Sequence, residues 1–280
     1  MKNQLVFKTD KGQEAIISQY DILLKRWPVP YEPLTIPTRH GNTFVIACGR
    51  MSSPPLILLH GSSTNSLMWM GDIAELSQYY RVYAVDILGE PGKSEAVRYK
   101  LSSPDYAEWI NEVFNSLNIA KASLLGISFG GWMSLKFSIA YPERVEKLVL
   151  LCPAGIGPQK TSFALFMLPF MFMGQWGLRQ IMKRINGKET VPDEVINFSI
   201  LVSRNFNPVT SIPLFSDEDL KKLTMPVFLM VGDKDVMLHS AITVKRLTKL
   251  VPFLTAHTLP DTSHLIINKT GQIIEFLTKE

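Results

Sequence analysis

Several stretches of the chain run apolar with little alternation: 55–59, 81–86, 122–127, 145–152 and 226–231. Short apolar runs bounded by turn residues predict strands buried on both faces of a parallel sheet. Between them lie segments with helical spacing of apolar positions: 66–78, 102–117, 129–141 and 241–251. A last strand over 253–259 and a closing helix over 265–278 complete a strand–helix rhythm, which predicts an α/β domain. Two stretches stand outside the rhythm at its start. Ile16, Ile17, Tyr20, Leu23 and Leu24 give 12–27 a helical period, ended by Pro28 and Pro30, and predict a helix packed on the outside of the main domain. Segments 32–37 and 42–48, joined by Arg39-His40-Gly41-Asn42, read as an antiparallel hairpin with His40 in the turn.

The rhythm breaks between 153 and about 215. That stretch is rich in Phe, Met, Leu and Pro and has helical pieces over 163–173, 176–185 and 192–205. Phe163, Phe166, Met167, Phe170, Met171 and Phe172 are expected to pack one face on the domain while the other roofs an apolar pocket. The expected organisation is therefore an N-terminal helical extension over 1–31, a core from 32–154 and 216–280, and a helical cap inserted over 155–215.

Composition narrows the function. At 280 residues, 46% hydrophobic and 19% charged, the chain is globular and long enough for one elaborated domain. A net charge of +4 without a basic, aromatic-interleaved stripe argues against nucleic acid as a partner, and 179–188 reads as one solvated basic helix face. Two cysteines, Cys48 and Cys152, sit in strand-like contexts and read as buried reduced thiols, with no metal or disulfide framework implied. Residues 1–10 have no apolar leader core, and 163–173 is too short to span a bilayer and holds Pro169. The expectation is a cytoplasmic protein with no membrane partner.

The chemistry centres on Gly126-Ile127-Ser128-Phe129-Gly130-Gly131, between a strand and a helix. Gly-x-Ser-x-Gly in that setting is a nucleophile elbow. The serine takes a strained backbone position that lifts its hydroxyl off the sheet, and the glycines let the strand and helix backbones meet. The next amide, Phe129 N–H, opens the helix and points at a developing oxyanion. A second oxyanion donor is expected at Ser62 N–H, in His60-Gly61-Ser62-Ser63-Thr64-Asn65 at a strand end, with His60 holding the loop. The loop Gly89-Glu90-Pro91-Gly92-Lys93-Ser94 lacks the spacing of a P-loop, so no phosphate site is expected, and Asp86 is expected to brace it.

These residues, with Gly232-Asp233-Lys234-Asp235 and His264 after the last strand, make the chain resemble the α/β-hydrolase fold family over roughly 32–280. The resemblance implies a mostly parallel eight-stranded sheet with helices on both faces and a variable cap. It implies Ser128 as nucleophile, His264 as base and Asp235 as acid, with Asp233 and Asp261 as rivals for the acid and His257 and His239 for the base. It implies acyl transfer on a small, partly apolar carboxylic ester, without metal or cofactor. Glu90-Pro91 departs from relatives that carry Arg or small residues there. The same triad could serve a C–C bond hydrolase, a lipase, a cofactor-free haloperoxidase or an aminopeptidase, for which Glu189 and Asp193 are the candidate amine-binding acids. A small-ligand sensor is the reading of another class.

Overall fold

The structure, a computed structural model, describes residues 6–279. Residues 1–5, the first half of the 1–10 stretch read above as lacking a leader core, lie outside the described residues. An eight-stranded sheet runs through the molecule in the order β1-β2-β4-β3-β5-β6-β7-β8. The strands are β1 Tyr31–Ile36, β2 Thr43–Cys48, β3 Pro55–Leu59, β4 Arg81–Val85, β5 Ala122–Ile127, β6 Val145–Leu151, β7 Val227–Gly232 and β8 Leu254–Leu259. β1 and β2 form the expected antiparallel hairpin, β2 meets β4 antiparallel, and every remaining pairing is parallel.

The apolar runs are continuous because both faces of these strands are covered. Successive residues alternate between the two cores, as strand geometry requires. Ile57, Leu124, Leu150 and Leu229 face one core, with Trp109, Phe114, Phe137 and Leu247. Those partners come from helices α3 Asp105–Ser116, α4 Phe129–Ala140 and α9 Ser240–Leu250. Leu58, Leu125, Val149 and Met230 face the other, with Tyr20, Leu76 and Ile273. Those come from α1 Asp10–Leu24, α2 Ile73–Tyr79 and α10 Thr270–Thr278.

Three helices stand between β6 and β7: α5 Thr161–Met171, α6 Gly174–Asn186 and α7 Asp193–Asn205, followed by the short α8 Asp217–Leu220. α5 has no charged residue, and its two sides differ. Phe163 is buried, whereas Leu165, Leu168 and Phe172 are exposed, Phe172 by 88%. At these three positions α5 faces solvent. The side chain of Met171 lies outside the described residues.

The structure redraws several elements. The 66–78 segment divides into a 3-10 turn, Ser66–Gly71, and α2. The closing helix begins at Thr270, because Asp261 and Asn268 take left-handed backbone angles (φ 51° and 58°) that no helix admits. Residues 260–269 thus remain a loop. His40 does sit by the turn, but it is buried, its ring edge-on to Tyr99 and 3.8 Å from carboxylates of Asp105, Glu108 and Glu112. α1 does more than lie outside the domain. The segment preceding it bonds to the end of α7 (Lys8 N–H to Asn205 O, 2.8 Å), and Tyr20 is fully buried. Among the described residues no helix is long and apolar enough to cross a membrane. Cys48 and Cys152 are both free and buried.

Candidate active site

Ser128 joins β5 to α4 with φ 51° and ψ −110°, a region that costs an ordinary residue strain energy. The surroundings hold it there. Its N–H donates to Leu151 O (2.9 Å), and its carbonyl accepts from Trp132 N–H and Ala154 N–H. The flanking glycines are required by contact: a Cβ on Gly126 would lie 2.4 Å from Gly130 O, and one on Gly130 would lie 2.0 Å from Leu59 O. Ser128 is half-buried, and among the described residues its hydroxyl and the Phe129 amide have no hydrogen-bond partner.

The loop after β3 faces this turn with one peptide held rigidly. Gly61 O accepts from Thr64 Oγ1 (2.7 Å) and from His60 Nδ1 (2.9 Å). That carbonyl belongs to the same planar unit as Ser62 N–H, so fixing one end aims the other. His60 Nε2 accepts from Ile87 N–H (2.9 Å), which places the ring proton on Nδ1. Burial lowers the His60 pKa, so this histidine is a neutral strut, as expected for it. Among the described residues Ser62 N–H has no partner, while its neighbours do: Gly61 N–H points at Met68 Sδ, and Ser63 N–H donates to Glu90 Oε2 at 2.6 Å. Asp86 braces the loop as expected, accepting from Ser66 N–H, Lys93 N–H and the Tyr20 hydroxyl.

Asp235 and His264 meet from the loops after β7 and β8. His264 Nδ1 lies 2.8 Å from Asp235 Oδ2, and both residues are buried, 7% and 1% exposed. Asp235 Oδ1 accepts two amides, Met237 N–H (2.7 Å) and Leu238 N–H (3.0 Å). Burial pushes this carboxyl up, but the charge and hydrogen bond of His264 and the two amides outweigh it and hold Asp235 below its ordinary pKa. The rivals lie elsewhere. Asp233 is exposed near Lys234, Asp261 pairs with Lys188 at 3.2 Å, His239 is exposed, and His257 packs on Phe228 on the edge strand. Asp193 pairs with Arg179 (2.9 Å) and is largely exposed.

Other residues stand here that the sequence did not mark as site residues. Cys152 follows β6 with φ 40°, and its Sγ, an Asp235 carboxylate oxygen and a His264 ring nitrogen lie within 4.8 Å of one another. A metal would need the thiolate, whereas burial, then the Asp235 charge, push this thiol well up, and the Asp235–His264 hydrogen bond occupies the other donors. Lys160 Nζ donates to Asp235 O at 2.5 Å. The inserted helix α6 borders the His264 loop: Ser263 Oγ donates to Arg184 O (3.1 Å), and Leu265 N–H reaches Ile185 O (3.4 Å). Of these, Cys152 was legible in the sequence as a buried free thiol, which the structure shows, but its place against Asp235 and His264 was not.

Known proteins share this frame. The profile of the alpha/beta hydrolase fold family matches residues 54–211, more than half of the chain. The chain is 34% identical over 260 residues to carboxylesterase YbfK of Bacillus subtilis, spanning 88% of this chain and 86% of that one. The crystal structure of that carboxylesterase superposes with a TM-score of 0.84 at 30% identity, over 96% of this chain and 99% of the other. Naproxen esterase, also from Bacillus subtilis, superposes with a TM-score of 0.84 at 29% identity, over 97% and 100%. The strained serine turn, the parallel sheet and these carboxylesterase relatives lead to one conclusion: the chain belongs to the alpha/beta-hydrolase fold family and is a hydrolase acting on ester bonds.

Proposed function

We propose that the chain is a serine carboxylesterase that cleaves small, partly apolar esters through an acyl-enzyme, with Ser128 as nucleophile, His264 as base and Asp235 as acid. The observation that carries this reading is the 2.8 Å Asp235–His264 pair, packed at Cys152, whose neighbour Leu151 accepts the N–H of a serine held at φ 51° at the head of a helix. With Nδ1 bound to Asp235, Nε2 of His264 is left to take the Ser128 proton. The hydroxyl oxygen attacks the ester carbonyl carbon, and the carbonyl electron pair moves onto oxygen. The unpartnered amides of Phe129 and Ser62 receive that oxyanion, each worth about 3 kcal/mol of barrier. His264 then passes the proton to the leaving alkoxide. Water, deprotonated by the same ring, releases the acid and regenerates Ser128. This transfer requires a hydroxyl–imidazole hydrogen bond in the substrate complex, where catalytic hydrogen bonds commonly tighten.

The ring series Phe163–Phe166–Phe170–Trp176 on α5 and α6, with centroids 4.8 to 6.3 Å apart, supports a partly apolar substrate, since α6 adjoins the His264 loop. The test is hydrolysis of p-nitrophenyl esters of graded acyl length. The parent turns over with burst release, and Ser128→Ala and His264→Ala each lose at least about a thousandfold in kcat/KM. A Ser128→Ala variant at the parent's rate, or a parent inert on every ester, would sink the reading.

A further inference from the structure

The departure at Glu90-Pro91 acquires a place in the structure. The loop carrying it is laced to the oxyanion loop by several hydrogen bonds besides that of Ile87 N–H to His60. Asp86 Oδ1 accepts Ser66 N–H (2.9 Å), Asn65 Nδ2 donates to Pro91 O (2.9 Å), and Glu90 Oε2 accepts Ser63 N–H (2.6 Å). The last of these is the one adjoining the Ser62 amide. Ser63 has φ 59°, the left-handed region, so its conformation needs an external restraint. Glu90 is 1% exposed, and its other oxygen, Oε1, is buried and has no hydrogen-bond partner among the described residues.

We propose that Glu90 is a positioning residue of the ester hydrolase: its carboxyl clamps the Ser63 amide, and its charge sets how well the adjoining Ser62 amide can hold an oxyanion. The inference rests on the Ser62 role assigned above. A carboxyl with one orphaned oxygen in a closed site carries charge at high cost. Burial dominates here. It pushes Glu90 up to about 8, against the opposing pull of the Ser63 amide and the Arg98 cation. Two ionisable groups face Glu90 from other positions. Arg98 is held by Gly89 O (3.0 Å) and Asn207 O (2.5 Å). The Tyr106 phenol of α3 is itself raised to about 12. Through neutral pH, therefore, Arg98 stays a cation, Tyr106 stays neutral, and Glu90 keeps its proton. Above about pH 8 the carboxyl ionises and sets a negative charge one residue from the amide that must bind a developing negative charge. Oxyanion formation weakens while ground-state ester binding does not.

The experiment is kcat and KM on a p-nitrophenyl ester from pH 6 to 10, for the parent, Glu90→Gln, Glu90→Ala and Ser128→Ala. The parent's kcat falls above about pH 8 with KM nearly flat. Glu90→Gln keeps an uncharged acceptor for Ser63 N–H, so its neutral-pH kcat stays within roughly threefold and its alkaline limb disappears. Glu90→Ala frees the loop and loses roughly tenfold or more in kcat at every pH. An alkaline limb of the same midpoint in Glu90→Gln, or an unchanged kcat in Glu90→Ala, overturns the assignment. If the Glu90 variants do not fold, the parent alone decides. Its affinity for a trifluoromethyl ketone, which forms a hemiketal oxyanion, must fall with the kcat limb, and a flat affinity overturns the assignment. Ser128→Ala separates the two levels. If it retains the parent's rate, the serine mechanism fails and the Glu90 role with it. If it is inactive while the limb survives in Glu90→Gln, only the Glu90 role fails.

Discussion

At the scale of single residues, the site is governed by which polar atoms are satisfied. Asp235 has three donors, so its ionised form is the one the fold stabilises. Its folded pKa lies below the ordinary 3.8, which fixes the sign of the linkage. The stabilisation is fully present above about pH 4 and is lost as pH falls through the depressed value. Asp235→Asn is therefore expected to melt below the parent at neutral pH, with the gap closing under acid. A gap that persists to pH 2 in thermal melts would contradict this. In kinetics the same substitution costs about 10⁴ in kcat, because the amide favours the wrong tautomer of His264. The resemblance put Asp235 ahead of Asp233, and the packing separates the two physically. Two residues apart in sequence, one enters a closed pocket with its carboxylate on His264 and the other faces solvent.

At the scale of elements, backbone contact dictates the serine turn. Gly130→Ala would force a Cβ to 2.0 Å from Leu59 O, a backbone atom that cannot swing aside. The expected outcome is a loss of at least about 3 kcal/mol, or failure to accumulate as folded protein, read by denaturant unfolding. Wild-type stability in that variant would refute the close approach of α4 to β3. The α5 helix illustrates a different limit. Its residues are apolar on every side, so the pattern cannot tell which side is packed. The structure buries Phe163 and leaves Phe172 open. Phe163→Ala is expected to cost about 3 kcal/mol and Phe172→Ser less than about 0.5 kcal/mol. Equal costs in chemical denaturation would contradict the orientation of the helix. The boundaries of α2 and α10 moved for a related reason. Periodicity continues through a 3-10 turn and through a loop with left-handed residues, so apolar spacing overruns the true helix ends.

At the scale of the whole molecule, the N-terminal helix and the inserted helices are tied both to each other and to the site. Phe7 meets Phe206 edge-on (centroids 5.8 Å apart) at the end of α7, Arg98 lies over Phe206, and Arg98 also anchors Gly89 beside Glu90. Tyr20 of α1 donates to Asp86, which holds the start of the 3-10 turn and the glycine loop. Removing that donor leaves a fully buried carboxylate with fewer partners. Tyr20→Phe is thus expected to cost about 1–2 kcal/mol and lower Tm by roughly 3–6 °C. Tyr79→Phe, at an exposed position, serves as the control and leaves Tm unchanged. A Tyr20→Phe melt equal to the parent's would mean that the extension is merely appended to the domain.

The sequence by itself determined the sheet and the serine turn. Strands buried on both faces need unbroken apolar runs, and a strand–Ser–helix turn needs glycines where backbones touch, so both requirements are local and leave a local signature. The chain order of Ser128, Asp235 and His264 was legible in the same way, through the resemblance it carries. Only the tertiary structure decided which side of α5 is covered, that α1 reaches Asp86, and that Glu90 closes on Ser63. Those outcomes depend on contacts between residues far apart in the chain, such as Phe7 with Phe206 and Ser63 with Glu90. Burial and partnership belong to the assembled packing and not to the residue, and a buried carboxyl and a solvated one are spelled alike in a sequence.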